Sequence, residues 1–301
     1  MQDIYLFGSI VVTTGLLLDS AYPKPDGYGE LAQVDLFLGG ECGVAASILD
    51  HFGCSVKVIG FQLGFETDPI VKSHFKGTKV DVSAQTTDDN WIGVRDYVII
   101  DQQNFTRTCL GSFEHLNSME KHHWDMPIEA DVASSRVAGI DPHNNAEMDE
   151  AVRLCDKYSV PYVTYDCTYD SLLHKKSSIN VVSSCYLREQ YPQYMEDGIT
   201  KLLSLYTHNS NGLTIFTFGS NTIYYGRGDS IATEEPFKLD IHSTLSAGDS
   251  YRTGCIYGLY KGMEDKDLVR FASAVAGCAL MQYPITKHLP ELEDVMKLFV
   301  G

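Results

Sequence analysis

Short apolar runs rich in β-formers alternate with longer stretches of helical period along most of this chain, and that alternation limits the fold more than any other feature. "IYLFGSIVV" reads as a strand, and "GVAASILDHFG" as a helix closed by Gly53. Glycine takes the left-handed conformation that ends many helices. "SVKVIG" follows as a strand. "DEAVRLCDKYS" places Ala151, Val152, Leu154 and Cys155 at helical spacing, and "VPYVTYD" after it is a strand ending on an acid. "INVVSS" and "GLTIFTFG" are two further strands of the fully buried type. Beyond Asp249 come three helical stretches, Ser250–Tyr260, Asp267–Met281 and "PELEDVMKLF". Strands separated by helices cannot pair as hairpins, so the pattern predicts an α/β fold with a mostly parallel sheet covered on both faces. The 301 residues, 44% hydrophobic, suffice for one large domain over 1–301.

Two regions break the rhythm. Residues 11–37 hold Pro and Gly turns between short β-like pieces, and residues 91–108 alternate like a half-exposed hairpin turning at Gln102–Asn104. Together they predict a small β sheet standing off the main one. The formal charge of −17, from 23 basic and 40 acidic residues, argues against a nucleic-acid partner, which needs clustered cations. It leaves room for a small anion held by backbone amides. The eight cysteines form no CxxC pair and read as reduced, mostly buried thiols of a cytoplasmic protein. The N-terminus lacks the basic region of a signal peptide, and no apolar run is long enough to span a membrane. Adjacent His122 and His123 point apart with no third ligand nearby, and read as a surface pair.

The chemistry concentrates in "HSTLSAGDSYRTGC". A helix start leaves amides unpaired and carries partial positive charge. Small residues there let an anionic oxygen approach the backbone. The amides of Ala247, Gly248 and Asp249 could thus hold a phosphate while Asp249 takes a proton from an attacking hydroxyl, the division of labour of phosphoryl transfer. Taken alone, the same stretch also fits an acid that merely caps a helix.

This stretch resembles the C-terminal signature of the PfkB, or ribokinase-like, carbohydrate kinase family, D-T-x-G-A-G-D-x-F-x-x-G, through Thr244, Ala247, Gly248, Asp249, Tyr251 and Gly254. "FLGGECGVAASILDHFG" is similar to the family's N-terminal signature, and "VIGFQLG", "NFTRT", "TFGSNTIYY" and "RFASAVAGCAL" resemble later motifs in the same order. The resemblance implies a ribokinase-like, Rossmann-like fold whose two irregular regions form a β lid, with a homodimer through that lid. It implies an ATP- and Mg2+-dependent kinase of a small sugar, sugar derivative or nucleoside. Asp249 would be the base and Ser246–Asp249 the anion hole. Thr217 and Gly219 would lie beside the nucleotide, and Ser273 and Gly277 beside adenine. Gly39, Gly40 and Gly43 would border the sugar, with Thr13 at the strand end and Glu41 and Arg107 as further polar contacts. Asp166 would stand near the phosphates and magnesium. The chain departs from the pattern at Thr13, Gly43, Ser243 and Ser246, and the family's N-x-x-E is not evident. Those departures keep a second reading open, a non-catalytic descendant that binds a sugar or nucleotide as a sensor or scaffold.

Overall fold

The computed structural model describes residues 2–104, 106–111, 123–143 and 145–301. Its first strand, β1 (Gln2–Gly8), sends Ile4 and Leu6 into one apolar layer and Tyr5 and Phe7 into another. Successive side chains leave opposite faces of a strand, so a run apolar at every position must be covered twice. The chain then builds β2 (Val11–Leu18) and β3 (Leu31–Gly39), and the helix Glu41–His51 returns it to β4 (Val56–Gly60). Short strands β5 (Leu63–Gly64), β6 (Val80–Asp81) and β7 (Thr87–Asp88) follow, then the hairpin β8 (Arg95–Asp101) and β9 (Thr106–Gly111). From β10 (Ser135–Ile140) onward strands and helices alternate through β11 (Tyr162–Tyr165), β12 (Ile179–Ser183) and β13 (Leu213–Phe218). The hairpin β14 (Asn221–Arg227) and β15 (Ser230–Glu234) comes next. The helices Ala247–Lys261, Asp265–Leu280 and Leu292–Val300 complete the chain.

Among the described residues the main sheet has the order β15-β14-β13-β12-β11-β10-β1-β4-β6. It is parallel from β13 to β6, and β14 and β15 join antiparallel at one edge. One face packs on the helices Glu41–His51, Ala247–Lys261 and Asp265–Leu280. The other packs on Ala146–Tyr158 and Ile199–His208. This is the α/β arrangement, a mostly parallel sheet covered on both faces, expected from the alternating runs. Because β4 lies on one side of β1 and β10 on the other, the winding reverses at β1, and a crevice opens at the carboxyl ends of the strands there.

The irregular regions form a separate mixed sheet, β3-β2-β8-β9. Leu17, Val98 and Ile100 on its inner face pack against Leu245 and Tyr283. Thr286 Oγ1 exchanges hydrogen bonds with both backbone groups of Leu38, and Lys287 pairs with Asp35 at 2.9 Å. On the outer face Leu36, Tyr97 and Leu110 are exposed.

Two expectations need correction. "IYLFGSIVV" is not one strand. The Ser9 amide donates to Asp141 Oδ2 at 2.9 Å and the Ser9 carbonyl accepts from the Cys42 amide, so neither group serves a ladder and the chain turns there. Thr13 therefore sits inside β2 of the small sheet, not at the end of β1. The expected surface pair fails at His123, whose ring is buried and stacked on Trp91 at 4.3 Å between centroids. His122 lies outside the described residues. Six cysteines are buried, Cys109 and Cys185 are exposed, and all eight are free thiols. Among the described residues, no helix is long and apolar enough to cross a membrane.

Candidate active site

The helix Ala247–Lys261 begins with Ser246 in the left-handed conformation, φ 59°, at its N-cap, and no side chain caps it. The amides of the first turn, Ala247 to Asp249, thus have no partner within the helix. A Cβ added to Gly248 would meet nothing within 4 Å, so the helix mouth is open where a phosphate would approach. Asp249 is the third residue of the helix, and the cap position belongs to Ser246. That removes the reading of Asp249 as a simple cap. Its half-buried carboxylate is pushed up to about 7, first by loss of solvation and then by the charge of Glu41. The Ser246 hydroxyl and the cations Arg252 and Arg107 pull the other way.

Beneath it lies a buried ion pair. Arg252, one turn after Asp249, sets Nη1 2.7 Å from Asp141 Oδ1, and both side chains are almost wholly enclosed. The guanidinium also lies over the Tyr165 ring, 4.6 Å from its centroid. Burial raises Asp141 to about 6, against the attraction of Arg252 and the Ser9 amide. A Cβ at Gly8 would overlap the Asp141 carboxylate, so the end of β1 must be glycine for this acid to fit. The charge of Glu41, first residue of its helix, raises Asp141, Asp166 and Asp249 alike.

The remaining expected residues divide into groups. Thr217 pairs in register with Ser183. Ser183 in turn donates its amide and hydroxyl to Asp166 at 2.6 and 3.0 Å. Asp166 (φ 43°), Ser183 and Thr217 thus line the carboxyl ends of β11, β12 and β13, with Gly219 (φ 64°) in the following turn. Among the described residues, no group of three candidate metal ligands forms. Ser273 is buried in the helix Asp265–Leu280, and the place of a side chain at Gly277 is taken by Leu239. Thr13 lies against Gly39, and Gly40 (φ 73°) makes the turn into the helix that starts at Glu41. Gly43 faces Ile10 and Leu38. Arg107, on β9, donates to the Thr244 carbonyl at 3.1 Å and ties the small sheet to the loop before Ser246. Sequence reasoning passed over Asp141 and Arg252. An acid at the end of "VAGID" and an arginine inside an apolar helix were the available signals.

Comparison with known proteins agrees with this fold. Residues 1–291 match the family model described as pfkB family carbohydrate kinase. A 5-dehydro-2-deoxygluconokinase of Bacillus subtilis is 25% identical over 95 residues, 31% of this chain and 29% of that protein. The match thus spans less than a third of that relative. A nucleoside kinase of Methanothermobacter thermautotrophicus is 23% identical over 268 residues, covering 82% of this chain and 83% of the relative. A solved structure from Agrobacterium tumefaciens, provisionally assigned as a ribokinase, superposes with a TM-score of 0.85 at 16% identity, covering 99% of this chain and 97% of that one. That likeness concerns the fold.

Proposed function

The chain belongs to the pfkB family of carbohydrate kinases, and from that premise we propose that it transfers a phosphoryl group from ATP to a hydroxyl of a small sugar, sugar derivative or nucleoside. The observation that carries this reading is the uncapped helix start at Ser246, open at Gly248, with Asp249 in its first turn. ATP supplies the phosphoryl group, with magnesium shielding its charge. The amides of Ser246–Asp249 hold the oxygens on which charge develops, where fixed dipoles need no reorganisation. Asp249 accepts the proton of the attacking hydroxyl, and a base near pH 7 suits that task at neutral pH. Thr217 and Gly219 border the nucleotide, Ser273 and Gly277 the adenine, and Asp166 the metal side. Thr13, Gly39, Gly40, Glu41, Gly43 and Arg107 border the acceptor, and the small sheet acts as its lid. The same reading makes the molecule a homodimer through the outer face of that lid.

The test is a panel of sugars and nucleosides with ATP, read by ADP release, on the unaltered protein and on Asp249→Asn. Removal of a general base lowers kcat by about two orders of magnitude or more. Melting temperature and ATP binding should survive, since Ser246 and not Asp249 occupies the cap. Near-normal turnover in the variant would remove Asp249 from the reaction. Binding of ligands with no transfer by the unaltered protein would favour a non-catalytic sugar- or nucleotide-binding descendant.

A further inference from the structure

Asp96, on β8 of the small sheet, has no role in the site as described so far. It pairs in register with Thr13, and Gly15 with Val98 and Leu17 with Ile100 follow along the same two strands. Paired residues, and those two further on, project to one face of a sheet. That face is fixed by Leu17, Val98 and Ile100, which pack on Leu245, the residue before Ser246. Across the next pair, Cys109 and Arg107 lie opposite Val98 and Ile100, and Arg107 reaches Thr244. Asp96 thus belongs to the face turned toward the anion site. Its Oδ1 is buried, and no hydrogen-bond partner for it occurs among the described residues. Burial raises its pKa, and the Thr13 hydroxyl offsets this only in part. An acceptor withdrawn from water without a donor is costly to leave unmade. A hydroxyl of a bound ligand is a donor of the right kind.

We propose that Asp96 is a specificity residue that accepts hydrogen bonds from hydroxyls of a polyhydroxylated acceptor. The assignment rests on the kinase-site reading and names how that site would grip its acceptor.

The experiment measures binding by calorimetry without ATP, using ribose, fructose, inosine and gluconate as probes, on the unaltered protein, Asp96→Ala and Asp96→Asn. The expected result is that at least one probe binds and that both variants weaken it tenfold or more. ATP affinity should stay within twofold. The melting temperature of the ligand-free protein should not fall, because Ala removes an unpaired buried oxygen and Asn removes a partly buried charge. A lowered melting temperature with unchanged probe affinity would mark Asp96 as structural. Equal binding by the variants, or binding of none of the four probes, would overturn the proposal. ADP release is recorded separately. Asp96-dependent binding without turnover would sink the kinase reading and leave this one standing, and turnover indifferent to Asp96 would do the reverse.

Discussion

The charge of Glu41 reaches three carboxylates of the crevice, and its effect on Asp249 can be measured. In the proposed reaction Asp249 is a base and so works only when ionised. With its pKa raised to about 7, kcat/KM should climb as pH rises through that value and level off above it. Glu41→Gln removes a like charge, which makes ionisation easier. The rising limb should therefore move to lower pH, and a pH–rate profile of the variant checks it. An unmoved limb would show that Glu41 does not act on the base. Single residues were also where the sequence was hardest to read. Asp249 announced itself through its small neighbours. Asp141 and Arg252 did not, because an ion pair is a fact about two positions 111 apart, and neither segment shows that the other will be there.

At the scale of the element, the helix Ala247–Lys261 serves both the fold and the site. Its body is buried from Ser250 to Gly258, while its first turn is open at Gly248. Gly248→Ala separates the two duties. A Cβ there meets nothing, and alanine favours a helix over glycine by about 1 kcal/mol at interior positions. Thermal unfolding should show a melting point equal to or above that of the parent. The added methyl nevertheless stands in the mouth of the proposed anion site, so kcat/KM for ATP should fall about tenfold or more. A destabilised variant, or one with unchanged kinetics, would contradict this account of the helix start. Elements were the most legible level. Short β-rich runs such as "INVVSS" formed buried strands as expected, and the three final helices lie within a few residues of their expected bounds. The break after Gly8 was not legible, because the group that captures the Ser9 amide lies 132 residues away.

For the whole molecule, the register of the small sheet aligns Leu36, Thr14, Tyr97 and Leu110 in one row across all four strands, with the three larger side chains exposed. The homodimer proposed through this face should run at twice the chain mass in sedimentation. Leu36→Glu, which puts a charge into the row, should yield monomers with an unchanged melting curve at low concentration. A dimer indifferent to this change would place the contact elsewhere. The small sheet also has a history within each molecule's lifetime. Its strand β3 is among the first parts of the chain, yet its partners Thr286 and Lys287 come 248 and 252 residues later. At roughly 5–20 residues per second of synthesis, the ribosome needs on the order of 12–50 s to deliver them. For that interval the nascent strand β3 lacks these contacts, and until Leu245 and Tyr283 follow, the apolar inner face of the small sheet is the kind of transiently exposed surface that favours aggregation.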